Sequence, residues 1–431
     1  MKTPKLGPRV CRPIFAAPAI AALMFASAAQ FSAAQAETAQ AWIASWAASP
    51  QPVWGPDFFA PVGVPRALRD QTVRQVARLS LGGHKIRVEI SNEYGSVPLH
   101  IGAAQAALAD DKGAVKAGTG KALTFGGKAD VVVPAGAPII SDPVDIDIAP
   151  LGSLAISLYF PEITPVTTWH NEGVQTTLIA DGNVVVEAEI KATVKPTSRI
   201  FLSEILVDAQ PGARAIVTFG DSISDGACAT PDANHRWPDF LAERLKGANA
   251  NAAVVNEGIS GARILTDRMG DNALARFDRD VLSQPLADTV VLMMGINDIG
   301  WPDTALVPKG ERAPSADDII VGYKQLIARA HNHNMRIIGA TLTPFDDAFA
   351  SFPPLHGYYT KDKEPKRLAV NAFIRSGAFD GVIDFDAVVR KPDKPQEIQT
   401  AFDCGDHLHP NDAGYKAMAE SIDLSVLGVK K

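Results

Sequence analysis

A chain of 431 residues, 46% apolar and 21% charged, is long enough to bury a sizeable core, and its length favours two domains over one. Its formal charge is −7 and no basic patch offsets phosphate repulsion, which sets nucleic acid aside as an expected partner. Beyond the first 36 residues no run approaches the roughly 20 consecutive apolar residues of a membrane-spanning helix.

In that first segment Lys2, Lys5, Arg9 and Arg12 precede an Ala-rich apolar run over about 15–34, with no acidic residue. This is the layout of a secretory signal. Ala34-Gln35-Ala36 places small residues at the alternating positions that signal peptidase requires, so 1–36 is expected to be a signal peptide cleaved before Glu37. The competing reading, an uncleaved anchor, is poorly served by Pro18 and the short run. Cys11 lies ahead of the apolar run, where a lipoprotein cysteine does not sit. Losing the four cations takes the charge from −7 to −11. The mature chain is expected to be exported, periplasmic or extracellular, without stable membrane insertion.

Residues 37–208 read as an all-β domain. The stretches 75–81, 85–90 and 154–158 alternate apolar and polar residues with the period of half-buried strands. Gly82-Gly83, Pro134-Ala135-Gly136 and Asp181-Gly182-Asn183 supply turns between such stretches. The pattern predicts an antiparallel β-sandwich, jelly-roll-like, uninterrupted by a long amphipathic helix. Trp169 and His170 are candidates for facing a substrate, although a core tryptophan is the commoner fate of that residue type.

After Gln210-Pro211-Gly212, a plausible linker, residues 209–431 change rhythm to buried strand, loop and amphipathic helix, repeated about five times. Strands are predicted at 215–219, 253–256, 289–294, 336–342 and 381–385, as the near-continuous apolar runs that parallel strands covered on both faces require. Helices are predicted at 238–245, 316–331, 364–375 and 412–422. The expected class is α/β, a doubly wound, flavodoxin-like parallel sheet with its site beyond the carboxyl ends of the strands.

Four loops carry chemistry. Phe219-Gly220-Asp221-Ser222-Ile223-Ser224-Asp225-Gly226 puts a serine in a strand-to-helix turn, exposed as a nucleophile and with its own N–H available to an oxyanion, or simply capping the helix. Ser224 stands where the Gly-x-Ser-x-Gly elbow has its second glycine, which counts against an α/β-hydrolase fold. Asn256-Glu257-Gly258-Ile259-Ser260-Gly261-Ala262-Arg263 and Met294-Gly295-Ile296-Asn297-Asp298 end the next two strands, where the Gly261 N–H and the Asn297 amide are oxyanion donors or ordinary turn formers. Asp403-Cys404-Gly405-Asp406-His407-Leu408-His409-Pro410-Asn411-Asp412 offers Asp406 and His409 as a carboxylate-held general base. Its alternative is a metal cluster of His407, His409 and aspartates.

Together these four motifs resemble, in order, blocks I, II, III and V of the SGNH (GDSL) hydrolase superfamily, over roughly 209–428. The resemblance implies Ser222 as nucleophile, Asp406 and His409 as the rest of a triad, and an oxyanion hole of the Ser222 and Gly261 N–H groups with Asn297. It implies an ester hydrolase that needs no metal or organic cofactor. Ile223-Ser224 departs from the superfamily's usual leucine and from the threonine of many relatives, a change without expected chemical consequence. Arg236-Trp237-Pro238-Asp239, Arg276-Phe277-Asp278-Arg279-Asp280, Gly295-Ile296-Asn297-Asp298-Ile299-Gly300 and the β-rich half resemble the narrower XynE-like branch of carbohydrate esterases. That implies removal of O-acetyl groups from a polysaccharide or small sugar ester, as an acetylxylan esterase does. A short-chain lipase or arylesterase is the nearest alternative, and a non-catalytic glycan-binding module the distant one. If the serine and histidine loops meet, Cys228 and Cys404 become neighbours in an oxidising compartment and a disulfide is expected, against the alternative of two separate buried thiols.

Overall fold

The computed structural model describes residues 1, 7, 40–58, 60–110 and 114–429, so nearly all of the expected signal segment lies outside the described residues. In the first half, period-two sequence becomes paired strands. One antiparallel sheet runs Trp42–Ala47, Leu202–Asp208, Gly83–Ser91 and Pro138–Ile140, with Val144–Ile148 also on Gly83–Ser91. A second runs Thr177–Asp181, Gln71–Arg78, Ser153–Phe160, Ala103–Ala109 and Lys121–Ala122, and smaller sheets of two or three strands accompany them. Alternation sets which side chains go inward: Ile86, Val88 and Ile90 from one sheet and Leu154, Ile156 and Leu158 from the other are fully buried in one cluster. The strand predicted at 75–81 is Gln71–Arg78, since Ser80 and the Gly82-Gly83 turn end the ladder early; Leu79 stays buried all the same.

In the second half five parallel strands, Arg214–Gly220, Ala252–Asn256, Ala287–Met293, Arg336–Ala340 and Gly381–Ile383, lie in the order second, first, third, fourth, fifth. Alternation along the first strand divides the core by face. Ala215, Val217 and Phe219 share a cluster with Ile319, Tyr323 and Leu326 of helix Ala316–Asn332 and with Val370 and Ile374 of helix Glu364–Ile374. Ile216 shares another with Leu241 and Leu245 of helix Trp237–Gly247 and with Tyr415 and Met418 of helix Asp412–Ser421. Helices therefore cover both faces, and the chain reverses direction across the sheet between the first and third strands, the point at which such sheets open a crevice.

The second strand forms an edge of the parallel sheet, and the β-rich half covers it: the Val254 N–H donates to Ser80 Oγ at 3.0 Å, protecting an edge that would otherwise invite foreign pairing. Residues Ala41–Lys431 form one compact unit, and the apolar cluster of the first half continues without a break into one face of the parallel sheet. A buried polar knot reinforces the seam. Arg276 pairs with Asp280 at 2.7 Å, both essentially inaccessible, Ser49 Oγ donates to Asp280 at 2.6 Å, and Arg276 donates to the Gly220 carbonyl at 3.0 Å. The Arg276–Asp280 motif thus ties the β-rich half to the end of the strand that carries Ser222.

Candidate active site

The first strand stops at Gly220 because the chain must pass under its own continuation. A Cβ there would lie 2.2 Å from Ser224 Oγ. Asp221 then caps the four-residue helix Ser222–Asp225, its side chain accepting from the Ile223 N–H at 3.1 Å. Gly226, at φ 104°, closes that turn in a conformation that favours glycine. Ser222 is the first helical residue, so its N–H has no preceding turn to bond, and the dipole of that turn favours negative charge beside it.

The second loop is sewn beneath this turn: Asn256 Nδ2 donates to the Ser224 carbonyl at 2.8 Å and the Ser260 N–H to Asp225 Oδ2 at 2.7 Å. Gly261 follows at φ 77°, where a Cβ would strike Met269 and Trp301; its N–H has no backbone acceptor among the described residues. The third loop presents Asn297 from the first turn of helix Ile296–Gly300. Its Oδ1 accepts from Trp301 Nε1 at 2.8 Å and Tyr358 OH at 2.7 Å, while Nδ2 donates to the Ala262 carbonyl at 3.0 Å. Two donors on one side and an acceptor on the other leave the amide one orientation, with its second N–H available to the cleft. Asp298, buried beside it, accepts from the Ile264 and Leu265 N–H groups at 2.8 and 3.1 Å and so locks the second loop to the third; burial pushes its carboxyl up to about 6.

The histidine loop completes the arrangement. Asp406 Oδ1 accepts from the Leu408 and His409 N–H groups at 2.9 and 2.8 Å, and Oδ2 meets His409 Nδ1 at 2.6 Å. His409 Nε2 lies 2.8 Å from Ser222 Oγ. Burial pulls the imidazole pKa down, but the Asp406 hydrogen bond and charge, helped by Asp221 and Glu172, outweigh it and leave the value raised. For Asp406 burial works upward and loses to the hydrogen bonds from His409 and Leu408, so its pKa is lowered. The loop is anchored by the Cys228–Cys404 disulfide, Cα to Cα 6.2 Å, and by Tyr415 OH donating to the Ala227 carbonyl at 2.6 Å.

The structure thus brings Ser222, Gly261, Asn297 and His409 to the wall of a single cavity of about 210 Å³, with Asp406 behind the histidine. His407 turns away at φ 64° and pairs with Asp403 at 2.6 Å on the surface. Among the described residues the one cluster with metal-ligand spacing is Cys228, Cys404 and Asp406, and the disulfide consumes both of its thiols.

Of the two readings of Trp169 and His170, facing a substrate or lying in the core, the structure shows the core for both. Trp169 is 1% exposed and donates to the Pro52 carbonyl at 3.1 Å. His170 is buried between the Ser49 carbonyl, 3.0 Å from Nδ1, and Asp225, 2.9 Å from Nε2. His170 belongs to the seam between the halves, held there by two acceptors, and Trp169 is buried among residues of the β-rich half such as Pro52 and Trp54. The cavity-lining residues that escaped the sequence reading include Tyr358, which orients Asn297, and Glu172, which comes from the β-rich half. Neither stands in a recognisable motif, and only long-range folding brings them to the site.

Residues 218–417 match the model of the GDSL-like lipase/acylhydrolase family. Similar solved structures include a GDSL-like lipase from Bacteroides thetaiotaomicron, 19% identical, covering 50% of this chain and 89% of that one at a TM-score of 0.37. A catalytic mutant of an acetylxylan esterase from Geobacillus stearothermophilus is 21% identical, covering 50% and 95% at a TM-score of 0.37. An acetyl xylan esterase, AlAXEase, is 21% identical, covering 48% and 96% at a TM-score of 0.35. No curated protein matches the chain. Among the described residues no helix is long and apolar enough to cross a membrane.

Proposed function

We propose that this chain is an exported serine esterase that hydrolyses carboxylic esters through an acyl-enzyme, acting on O-acyl groups of carbohydrate. One observation carries the reading: the unbroken relay from Asp406 through His409 to Ser222 Oγ, at 2.6 and 2.8 Å, on the wall of a cavity shared with Gly261 and Asn297. His409 takes the Ser222 proton as Oγ attacks the ester carbonyl. The Ser222 and Gly261 N–H groups and Asn297 Nδ2 receive the oxyanion, and His409 returns the proton to the departing alcohol. Water, activated by the same histidine, then releases the acid. Apart from that water and the ester itself, every group that this sequence of steps uses is an amino-acid side chain or backbone amide.

The substrate class rests on the sequence resemblance to the XynE-like branch and on the cavity's modest volume, which suits a short acyl group. The walls formed by Trp301, Leu306, Phe349 and Tyr358 favour a second reading, an arylesterase or short-chain lipase. In either case 37–208 is read as a β-sandwich that abuts the catalytic half, 209–431. Export is supported by the signal-like residues 1–36 and by the disulfide beside the site.

Comparing kcat/KM on acetylated xylan, acetylated small sugars, p-nitrophenyl esters and phospholipids tests the substrate class; preference for long-chain phospholipid would reject it. Fluorophosphonate labelling tests the chemistry. Failure of Ser222 to label in folded protein would instead favour a glycan-binding module.

A further inference from the structure

The loop after strand Thr168–His170 runs from the β-rich half to the catalytic cavity, and it is pinned at almost every residue. His170 bridges the Ser49 carbonyl and Asp225. The Asn171 N–H donates to Gln51 Oε1 at 2.8 Å, Arg236 donates to the Gly173 carbonyl, and the Val174 carbonyl accepts from the Asp232 N–H at 3.1 Å. Between these fixed points stands Glu172. Its side chain lines the cavity beside Ser222 and His409 and is the one acidic group among the described residues that do so. No donor is bound to its carboxylate among those residues, and the residue is partly exposed to the cavity, so a hydroxyl entering there meets an acceptor whose lone pairs are open.

We propose that Glu172 determines specificity on the alcohol side of the ester, accepting a hydrogen bond from a free hydroxyl of the leaving group. The esters favoured are then those of polyols, with a hydroxyl close to the acylated oxygen. This rests on the esterase reading above. One chemical argument and two observations direct the carboxylate to the alcohol rather than to the acyl group. An anion beside the forming oxyanion would raise the barrier that the Gly261 and Asn297 donors have to lower, so a role on the acyl side would work against catalysis. Its charge is felt by His409, whose pKa it helps to raise, and His409 is the group that hands its proton to the departing alcohol. Finally, the remaining wall is largely apolar, formed by side chains such as Phe58, Met269, Leu306 and Leu355, and offers a polyol few other acceptors.

The charged groups around Glu172 fit this role. Burial raises its pKa and Asp225 adds to the rise, while His409, His170 and Arg236 oppose them. A hydroxyl donor satisfies this carboxylate without asking it to give up its charge, and a site built around a substrate hydroxyl discriminates against esters that lack one.

The test compares wild type with Glu172→Ala and Glu172→Gln on glycerol monoacetate and on p-nitrophenyl acetate, which has no free hydroxyl. The ratio of kcat/KM, polyol ester over aryl ester, should fall about 10 to 100-fold in Glu172→Ala and less in Glu172→Gln, whose amide oxygen still accepts. The acid limb of kcat/KM should move to lower pH in both variants, and fluorophosphonate labelling of each reports that the site is intact. An unchanged ratio overturns the proposal, since an electrostatic role toward His409 alone would slow both esters alike. A wild type that cleaves p-nitrophenyl acetate but not glycerol monoacetate overturns it too, while leaving the esterase reading in place. Inactivity on both, with Ser222 unlabelled, rejects both readings.

Discussion

Replacing Asn297 with alanine removes one proposed oxyanion donor together with the acceptor that holds Trp301 Nε1 and Tyr358 OH. The loss of a preorganised donor costs about 3 to 4 kcal/mol of transition-state stabilisation, so kcat should fall about 100 to 1000-fold with KM changed much less. Because Trp301 and Tyr358 are each 1% exposed, their stranded donors should also cost stability, on the order of 1 to 3 kcal/mol apiece. Rates are therefore to be measured well below the new melting temperature. Tyr358→Phe makes the argument quantitative. It removes one of the three bonds that orient the amide and leaves Trp301 and the Ala262 carbonyl in place, so a loss of about 1 kcal/mol, roughly fivefold in kcat, is expected. In the Asn297→Ala background Tyr358→Phe should have almost no further effect on kcat, because there is no amide left to orient. Steady-state kinetics on p-nitrophenyl acetate with thermal melts of all four proteins completes the cycle. A loss confined to KM in Asn297→Ala, or equal and additive kcat losses in the two single variants, would refute the oxyanion assignment.

Ser222→Ala and His409→Ala should each abolish nearly all esterase activity, Asp406→Ala should leave a larger residue, and His407→Ala, altering a surface pair with Asp403, should be milder by orders of magnitude; equal loss at both histidines would count against His409 as the base. Because the neutral imidazole is the active form and its pKa is raised from 6.5, kcat/KM should fall on the acid side at a pH above 6.5; a midpoint below that value would contradict the hydrogen-bonded Asp406–His409 geometry. Reducing the Cys228–Cys404 bridge, which spans a sequence separation of 176, should lower the melting temperature and the activity together, within a ceiling of about 5 kcal/mol from chain entropy; two free thiols in denatured, unreduced protein would exclude the bridge. Glu204, 8% exposed, has its pKa pushed up to about 8 by burial and by Glu89. The folded state binds that proton more tightly than the unfolded chain does, so this contribution is complete below pH 4.5 and is lost as pH rises toward 8. Glu204→Gln should then be the more stable protein at pH 8, by up to about 4 kcal/mol, with the difference shrinking toward pH 4.5; a pH-independent difference in chemical denaturation would show that the carboxyl does not hold the proton.

What the sequence determined by itself is what local pattern encodes. Strict alternation at 85–90 and near-continuous apolar runs at 215–219 and 253–256 separate half-buried antiparallel strands from doubly covered parallel ones, because side-chain period and burial are set within a few residues. Ser222, Gly261, Asn297 and His409 were each visible as loop residues at strand ends or before the last helix, since a turn's chemistry is a local matter. Individually each had an ordinary structural explanation, and only their order made them a set. Convergence on one cavity came from the sheet, whose second, first and third strands lie side by side and bring three loops to one crevice. The choice between neighbouring histidines also belonged to the tertiary structure: the left-handed turn at His407 sends it to Asp403 and leaves His409 facing Ser222. The same holds for Tyr358 behind Asn297 and for Glu172, delivered from the β-rich half by a loop pinned at His170, Asn171 and Gly173. Trp169 and His170, which have the side chains of binding residues, were buried instead, His170 against Asp225 of the second half. Burial rewards apolar area and satisfied hydrogen bonds whatever a residue's chemistry suggests, and which residues are buried together depends on contacts more than a hundred positions apart.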